Sequence, residues 1–194
     1  MPRNRTISDQ DVLDRALLVV RASGPDALTF GALAPRVGLA PSTIVQRFGT
    51  KAALLQAALS RAWDRLDDET ATAVEHAPVG PAGVIEMLVE LSGQYDPDDF
   101  ADQLLLLRED LRDPVLRARG NAWLATLTQA IEHRLAGAAG DPAGLGELVV
   151  TQWQGTLTVW GFTRRTPLVR AVRSALEDLF ARLGLDPGPA AGSR

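Results

Sequence analysis

The chain has 194 residues, a formal net charge of −4 and no cysteine, so a disulfide scaffold, a thiolate nucleophile and a cysteine-ligated metal are excluded. Alanine and leucine occur 29 times each, against four isoleucines and one tyrosine, and this balance favours helix over sheet. The longest uncharged run, 148–163, is too short and polar to cross a bilayer, and Asp9, Asp11 and Asp14 interrupt any secretory signal, so we expect an all-α cytoplasmic protein with no membrane contact.

The charge is divided unevenly along the chain. Residues 1–58 carry seven cations and four anions, a net charge of +3, whereas the remainder carries 13 cations and 20 anions, a net charge of −7. A basic segment ahead of an acidic remainder is typical of a DNA-contacting module attached to another domain. Chance partition of charge is the alternative explanation.

Capping residues predict two helices at the start of the chain. Ser8 caps a first helix over about 9–22, and Thr29 caps a second that ends at Gly38, a residue suited to the left-handed conformation. Pro35 lies inside this second helix, where it removes a backbone hydrogen bond, so we expect a distortion there.

Seven further helices are predicted after Gly38. Pro41 opens a short third helix, 41–47, and Thr50 caps a longer fourth. Proline and glycine signals then separate five longer segments, namely 81–94, 97–111, 114–136, 142–163 and 167–184.

The second and third helices, joined by a short turn that contains glycine, form a helix-turn-helix arrangement, in which the later helix enters the major groove of DNA. An apolar set would form its core: Leu28, Leu33, Val37, Leu39, Ile44 and Phe48. The side chains left outward are hydrogen-bonding types: Ser42, Thr43, Gln46 and Arg47. Glutamine can pair bidentately with adenine and arginine with guanine. Lys51, beside exposed helix-terminal amides, would bind phosphate.

The N-terminal sequence resembles the N-terminal domain of the TetR family of bacterial transcriptional regulators over about residues 8–58. The strings that carry the resemblance are LTFGALA at 28–34, VGLA at 37–40, STIVQRFGTK at 42–51 and LL at 54–55. The resemblance implies nine or ten helices, a homodimer, and a C-terminal pocket whose ligand alters affinity for operator DNA.

The resemblance also assigns roles to individual residues. Thr29 is similar to the phosphate-contacting cap of the second helix. Pro41, Ser42 and Thr43 are similar to the start of the recognition helix, and Lys51 is similar to the family's backbone-binding lysine. Val45 and Arg47 stand where the family usually has tyrosine and histidine, so an expected tyrosine contact with phosphate is absent, while Arg47 can supply a charged one.

The expected architecture is therefore an N-terminal helix-turn-helix DNA-binding domain followed by a C-terminal helical ligand-binding and dimerisation domain, with about nine helices in all. We place the first domain at 1–50, the second at 51–186 and a disordered tail at 187–194, because the tail is rich in proline and glycine. Arg3 and Arg5, ahead of the first helix, either form an arm that reaches phosphate or the minor groove or belong to a solvated terminus.

Two apolar stripes at helical spacing predict the dimer interface. The candidate residues are Val149, Trp153, Leu157, Trp160, Leu168, Val172, Leu176, Leu179 and Leu183. Two such helices can pack against their symmetry mates as a four-helix bundle. The alternative is that both stripes pack inward on their own subunit.

The middle segments are expected to enclose a cavity for a mostly apolar small-molecule effector. The candidate lining residues are Met87, Leu91, Tyr95, Leu104, Leu107, Trp123, Leu127 and Ile131. Apolar stripes of this kind are also what a filled core requires. No spacing typical of a metal or cofactor site occurs.

The sequence favours a ligand-released repressor that binds a palindromic operator as a dimer. Catalysis is not indicated, because His76 and His133 lie on different segments and no nucleophile motif or phosphate-binding loop is present. The remaining alternative is a ligand-binding protein of the same fold that has lost operator binding.

Overall fold

The computed structural model describes residues 7–93 and 99–185, with the side chains of 99–103 outside the description. Over these ranges the chain forms nine α-helices and no strand, which confirms the all-α expectation. The helices are α1 (Asp9–Ser23), α2 (Phe30–Val37), α3 (Pro41–Phe48), α4 (Lys51–His76), α5 (Pro81–Ser92), α6 (Asp99–Arg112), α7 (Pro114–Leu135), α8 (Leu145–Thr163) and α9 (Leu168–Arg182). A 3₁₀ turn, Pro25–Ala27, follows α1. The tail predicted to be disordered, 187–194, lies outside the described residues.

The predicted caps begin and end the N-terminal helices. The Ser8, Thr29 and Thr50 hydroxyl oxygens each accept a hydrogen bond of 3.1 Å from the amide three residues later. Gly38 has φ 65° and ψ 29°, the left-handed conformation that ends α2 at little steric cost. α2 continues through Pro35 as far as Val37, so the missing hydrogen bond does not end the helix.

The described residues divide into two compact units that each draw on separate stretches of sequence. Unit 1 spans Met1–Leu66 and Ala101–Gly120, and unit 2 spans Asp67–Phe100 and Asn121–Arg194. The division falls inside α4 and inside α7, not at residue 50.

Four of the six apolar residues predicted for the helix-turn-helix core are buried in unit 1, with Leu28, Leu33 and Ile44 fully buried, and the other two, Leu39 and Phe48, are partly buried and pack against this cluster. Leu106 of α6 and Leu116 of α7 belong to the same buried cluster. The turn between α6 and α7, which we call the α6–α7 corner, therefore completes the core of the N-terminal helices.

Unit 2 is built around α5, α8 and α9, with α9 packed on both of the others. Its core includes Met87, Leu88 and Leu127, and two tryptophans, Trp123 and Trp153, whose ring centroids lie 6.3 Å apart. Each indole donates to a buried hydroxyl, that of Thr70 or Ser92, and so satisfies the hydrogen-bonding requirement of a buried N–H.

The buried guanidinium of Arg134 ties the end of α4 to α7. In a continuing helix the carbonyl of Val74 would accept from residue 78, but Pro78 has no N–H. The Nη2 of Arg134 donates to this carbonyl instead, and the amide of Gly80 donates to the carbonyl of Arg134 at 3.0 Å. A cation at a helix C-terminus is also favoured by the helix dipole.

Candidate nucleic-acid interface

The polar face of α3 lies outward, as the sequence predicts. Ser42 and Gln46 are exposed and Thr43 is half-buried, whereas Ile44 is completely buried against the core. Val45 is 41% exposed and offers only an apolar contact. The helix therefore presents hydrogen-bonding side chains on a rigidly packed support.

Thr29 and Lys51 place polar groups at the starts of two other helices. The Thr29 oxygen accepts from the amide of Ala32, so its hydroxyl proton remains able to donate. The Nζ of Lys51 donates to the carbonyl of Asp26 at 2.9 Å, which links the start of α4 to the turn before α2. An ammonium has three protons, so two of them can still reach a phosphate oxygen.

Arg47 does not extend freely from α3. Its Nη1 donates to the carbonyl of Ile7 at 2.9 Å and lies 3.2 Å from the carboxylate of Asp9, and only 21% of its side chain is exposed. The sequence predicts that Arg47 faces the groove, but its guanidinium instead contacts the start of α1. Turning Arg47 toward a base would break its hydrogen bond to the Ile7 carbonyl.

The α6–α7 corner is held against α4 by polar contacts that sequence reasoning missed. Gln56 donates to Asp113 at 2.8 Å, and Trp63 donates to Asp110 at 3.1 Å. Burial raises the pKa of Asp110, whereas the hydrogen bond from Gln56 lowers the pKa of Asp113. The two residues of each pair are 57 and 47 positions apart in sequence, so no local sequence pattern predicts these contacts.

The predicted cavity residues fall into two groups. Five are packed into the core of unit 2, namely Met87, Leu91, Trp123, Leu127 and Ile131. Leu104 and Leu107 are exposed on α6, and Tyr95 lies outside the described residues. Trp123 donates to the buried hydroxyl of Thr70 at 2.9 Å, so its polar edge is satisfied within the protein.

Two grooves lie on the N-terminal unit. They measure about 290 and 350 Å³, run along α1 and share Arg15 and Leu18 in their lining. Both lie in unit 1, and the cavity expected within 81–163 stays a prediction.

The predicted interface residues point into their own subunit. Seven of the nine are buried within a single chain, namely Val149, Trp153, Leu157, Trp160, Leu168, Val172 and Leu176. Leu179 is half-buried and Leu183 is exposed. These seven side chains therefore pack inward on their own subunit, which was the alternative to a dimer contact. Side chains enclosed in this way are not available to contact a second copy.

A different face of α8 is exposed and apolar. Leu148, Val159 and Phe162 are 43%, 60% and 89% exposed, and with Gly155 they follow the spacing of one helix face. A Cβ added at Gly155 would have no neighbour within 4 Å. We call these four residues the outer α8 face.

A family model described as bacterial regulatory proteins, tetR family, matches residues 12–58. No curated protein sequence matches the chain. No helix among the described residues has the length and apolarity to span a membrane.

Solved structures resemble the whole described fold. A transcriptional regulator from Rhodococcus sp. Rha1 aligns with a TM-score of 0.74 at 17% identity, covering 94% of this chain and 100% of that one. The TetR-family regulator PfmR from Thermus thermophilus aligns with a TM-score of 0.62 at 19% identity, covering 88% and 97%. A candidate regulator from Saccharomonospora viridis, solved in complex with choline, aligns with a TM-score of 0.70 at 19% identity, covering 88% of this chain and 93% of that one. At these identities the likeness establishes a shared fold.

Proposed function

We propose that this chain, whose residues 12–58 match the tetR-family model, is a cytoplasmic TetR-like repressor that binds a palindromic DNA operator as a homodimer and releases it when a small molecule binds. The observation that carries the proposal is the orientation of α3. Ser42 and Gln46 lie outward while Ile44 anchors the same helix in a closed core. This is the arrangement that a groove-reading helix requires.

DNA contacts divide into reading and positioning contacts. Gln46 would pair with an adenine edge, and Ser42 and Thr43 would serve a base or a phosphate. Thr29 and Lys51 flank the helix and would bind the phosphates on either side of the groove. Affinity for DNA of any sequence would come mainly from the phosphate contacts of Thr29 and Lys51.

The outer α8 face supports dimerisation through a second copy of the chain. Phe162 and Val159 are too exposed and too apolar to be explained by the core of a single subunit. Gly155 lies between Leu148 and Val159 without a side chain, which lets the backbone of a symmetry-related helix approach closely. In a dimer, the two recognition helices would bind half-sites one DNA turn, about 34–36 Å, apart or a multiple of it.

The α6–α7 corner supports a route from ligand to DNA. α7 contributes its first residues, through Gly120, to unit 1 and the rest to unit 2. A mostly apolar ligand that entered the core around Trp123 and Leu127 would shift α7, and the Trp63–Asp110 contact would pass the shift to α4, which begins at Lys51. The choline complex of the Saccharomonospora structure supports a small organic effector. Release requires different ligand affinities in the DNA-competent and incompetent states.

Footprinting of wild-type protein on DNA flanking its own coding region tests the proposal. The expected result is a protected, roughly palindromic site that a protein with Ser42→Ala and Gln46→Ala no longer protects. If wild-type protein protects no site yet binds a small molecule in thermal-shift screening, the chain is instead a ligand-binding protein that has lost operator binding.

A further inference from the structure

The exposed side of α3 is only partly polar. At 3.6 residues per turn, each residue is rotated by about 100° from the one before it, so the order around the helix axis is Pro41, Val45, Ser42 and Gln46. All four side chains are exposed. The first two are apolar and the last two can form hydrogen bonds, so the exposed side of α3 has an apolar edge beside a hydrogen-bonding edge.

The opposite side of the helix is turned inward. Ile44 is completely buried and Thr43 is half-buried. Arg47 lies on this side as well, where its Nη1 donates to the carbonyl of Ile7 at 2.9 Å. Rotating α3 about its axis to cover Val45 would expose Ile44 and break the Arg47 hydrogen bond. The packing of α3 therefore keeps its apolar edge exposed.

Val45 is the residue of this edge that helix formation does not explain. Pro41 has a structural role, because the fixed backbone angle of proline suits the first position of a helix. Val45 lies one turn later, is 41% exposed, and is a poorer helix former than alanine would be. Its side chain adjoins Ser42 around the helix, so it belongs to the surface with which α3 would meet DNA.

The major groove offers one apolar partner for such a side chain. Among the hydrogen-bond donors and acceptors that the base pairs present there, thymine alone carries a methyl group, on C5. A phosphate does not fit Val45, because the anion would lose its hydration without gaining a hydrogen bond. The isopropyl group of Val45 therefore matches thymine.

We infer that Val45 is a specificity-determining residue, which contacts the C5 methyl of a thymine in each half of the operator. The inference rests on the proposed function, since it concerns the same DNA complex. It adds recognition by burial of a methyl group to recognition by the hydrogen bonds of Gln46. Burial of one methyl group corresponds to about fourfold in affinity for each half-site.

The test replaces the thymines of the footprinted operator by deoxyuridine, in one symmetry-related pair at a time. Deoxyuridine lacks the C5 methyl and keeps every hydrogen-bonding group of thymine. Fluorescence anisotropy measures the affinity of wild-type protein and of Val45→Ala for each operator. Val169→Ala is the matched control, since Val169 is 39% exposed but lies on α9. Thermal melting of both variants checks that the fold is retained.

One symmetry-related pair of thymines is expected to be sensitive. Its replacement should weaken wild-type binding about 15-fold, as two half-sites each lose one methyl contact. Val45→Ala should bind the two operators within about twofold of each other, because the truncated side chain no longer reaches the methyl group. Val169→Ala should discriminate as wild-type protein does.

A methyl group supplied by a different base provides a second measurement. In an operator whose sensitive thymines are changed to cytosine, 5-methylation of those cytosines should raise wild-type affinity about fourfold for each half-site. The same methylation should leave the affinity of Val45→Ala nearly unchanged. This result would assign the effect to the methyl group and not to the hydrogen bonds of the base.

Two outcomes would overturn the inference while leaving the proposed function intact. Wild-type protein that binds its operator but is insensitive to deoxyuridine at every position makes no thymine methyl contact. Equal sensitivity in wild-type protein and Val45→Ala would mean that another residue makes the contact. Failure of wild-type protein to bind any DNA site would overturn the proposed function, and the inference with it.

Discussion

The indole Nε1 of Trp63 donates a hydrogen bond of 3.1 Å to the half-buried carboxylate of Asp110. Burial disfavours the charged carboxylate and raises its pKa, and the hydrogen bond opposes this only in part. Because the pKa of Asp110 is higher in the folded protein than in the unfolded chain, protonated Asp110 favours the folded state. This stabilisation is complete at a pH below the unfolded pKa and is lost as the pH rises through the folded pKa. Ionised Asp110 therefore destabilises the fold at neutral pH.

Asp110→Asn is expected to raise the free energy of unfolding at neutral pH, because an amide oxygen can still accept from Trp63 without carrying charge. The gain should diminish as the pH falls through the raised pKa. Trp63→Phe, which leaves the carboxylate without this donor, should instead cost about 1–3 kcal/mol. Urea unfolding at several pH values measures both, and an Asp110→Asn protein that is less stable than wild type at neutral pH would contradict the argument.

Lys51→Ala is expected to weaken binding to operator and random DNA to a similar degree and to lower the salt slope by about 0.9 per subunit, because it removes one phosphate contact. The measurement is a titration by fluorescence anisotropy at several salt concentrations. Arg170→Ala, an exposed cation on α9, is the control and should leave the slope unchanged.

Gln46→Ala is expected to cost about 1–3 kcal/mol on the operator and to relax preference at one base position, because it removes a bidentate contact to a base. Gln10→Ala on the exposed side of α1 is the control. A loss of the same size on operator and random DNA would show that Gln46 does not read a base.

Phe162→Glu is expected to convert the proposed dimer to folded monomers, because it places a charge in a desolvated contact without disturbing the subunit core. Val79→Glu is the control, since Val79 is 77% exposed but lies outside the outer α8 face. Trp160→Glu should instead unfold the subunit, because that side chain is only 4% exposed. Light scattering with circular dichroism distinguishes these results, and an unchanged dimer in Phe162→Glu would exclude this interface.

Glu86 and Arg173 form a two-pronged ion pair with oxygen–nitrogen distances of 2.8 and 3.0 Å, which lowers the pKa of Glu86. Its contribution is present above the ordinary glutamate pKa and is lost as the pH falls through the lowered folded value. Glu86→Gln should therefore cost up to about 1 kcal/mol at neutral pH, discounted for solvent exposure, and nothing in strong acid. Glu90→Gln, an exposed position on the same helix, should be neutral, and a pH-independent cost of Glu86→Gln would contradict the assignment.

The helices of the N-terminal region were predictable because their signals are local. Ser8 and Thr29 cap with their own side chains, and Gly38 ends α2 with a backbone conformation that glycine adopts readily. The outward positions of Ser42 and Gln46 on α3 followed from its regular spacing, whereas the contacts of Arg47 did not.

The contacts between helices were not predictable in the same way. α8 carries apolar residues on two faces, Trp153 and Leu157 on one and Val159 and Phe162 on the other, and periodicity alone does not reveal which is enclosed. The Arg47–Ile7 contact joins residues 40 positions apart, and its formation depends on how α1 and α3 cross. Helix periodicity shows which residues share one face of a helix, but it does not show which other helix that face packs against.

The burial of Leu106 and Leu116 in the same cluster as Val12 and Ile44 limits how this chain can exchange parts with its relatives in evolution or in the laboratory. A chimera joined after Leu66 would transfer the DNA-reading helices without the two leucines that close their core, and would expose an apolar surface in their place. A successful graft has to carry the α6–α7 corner as well, or substitute a foreign corner of matching shape. The compact unit that contains α1–α3 is thus discontinuous along the sequence.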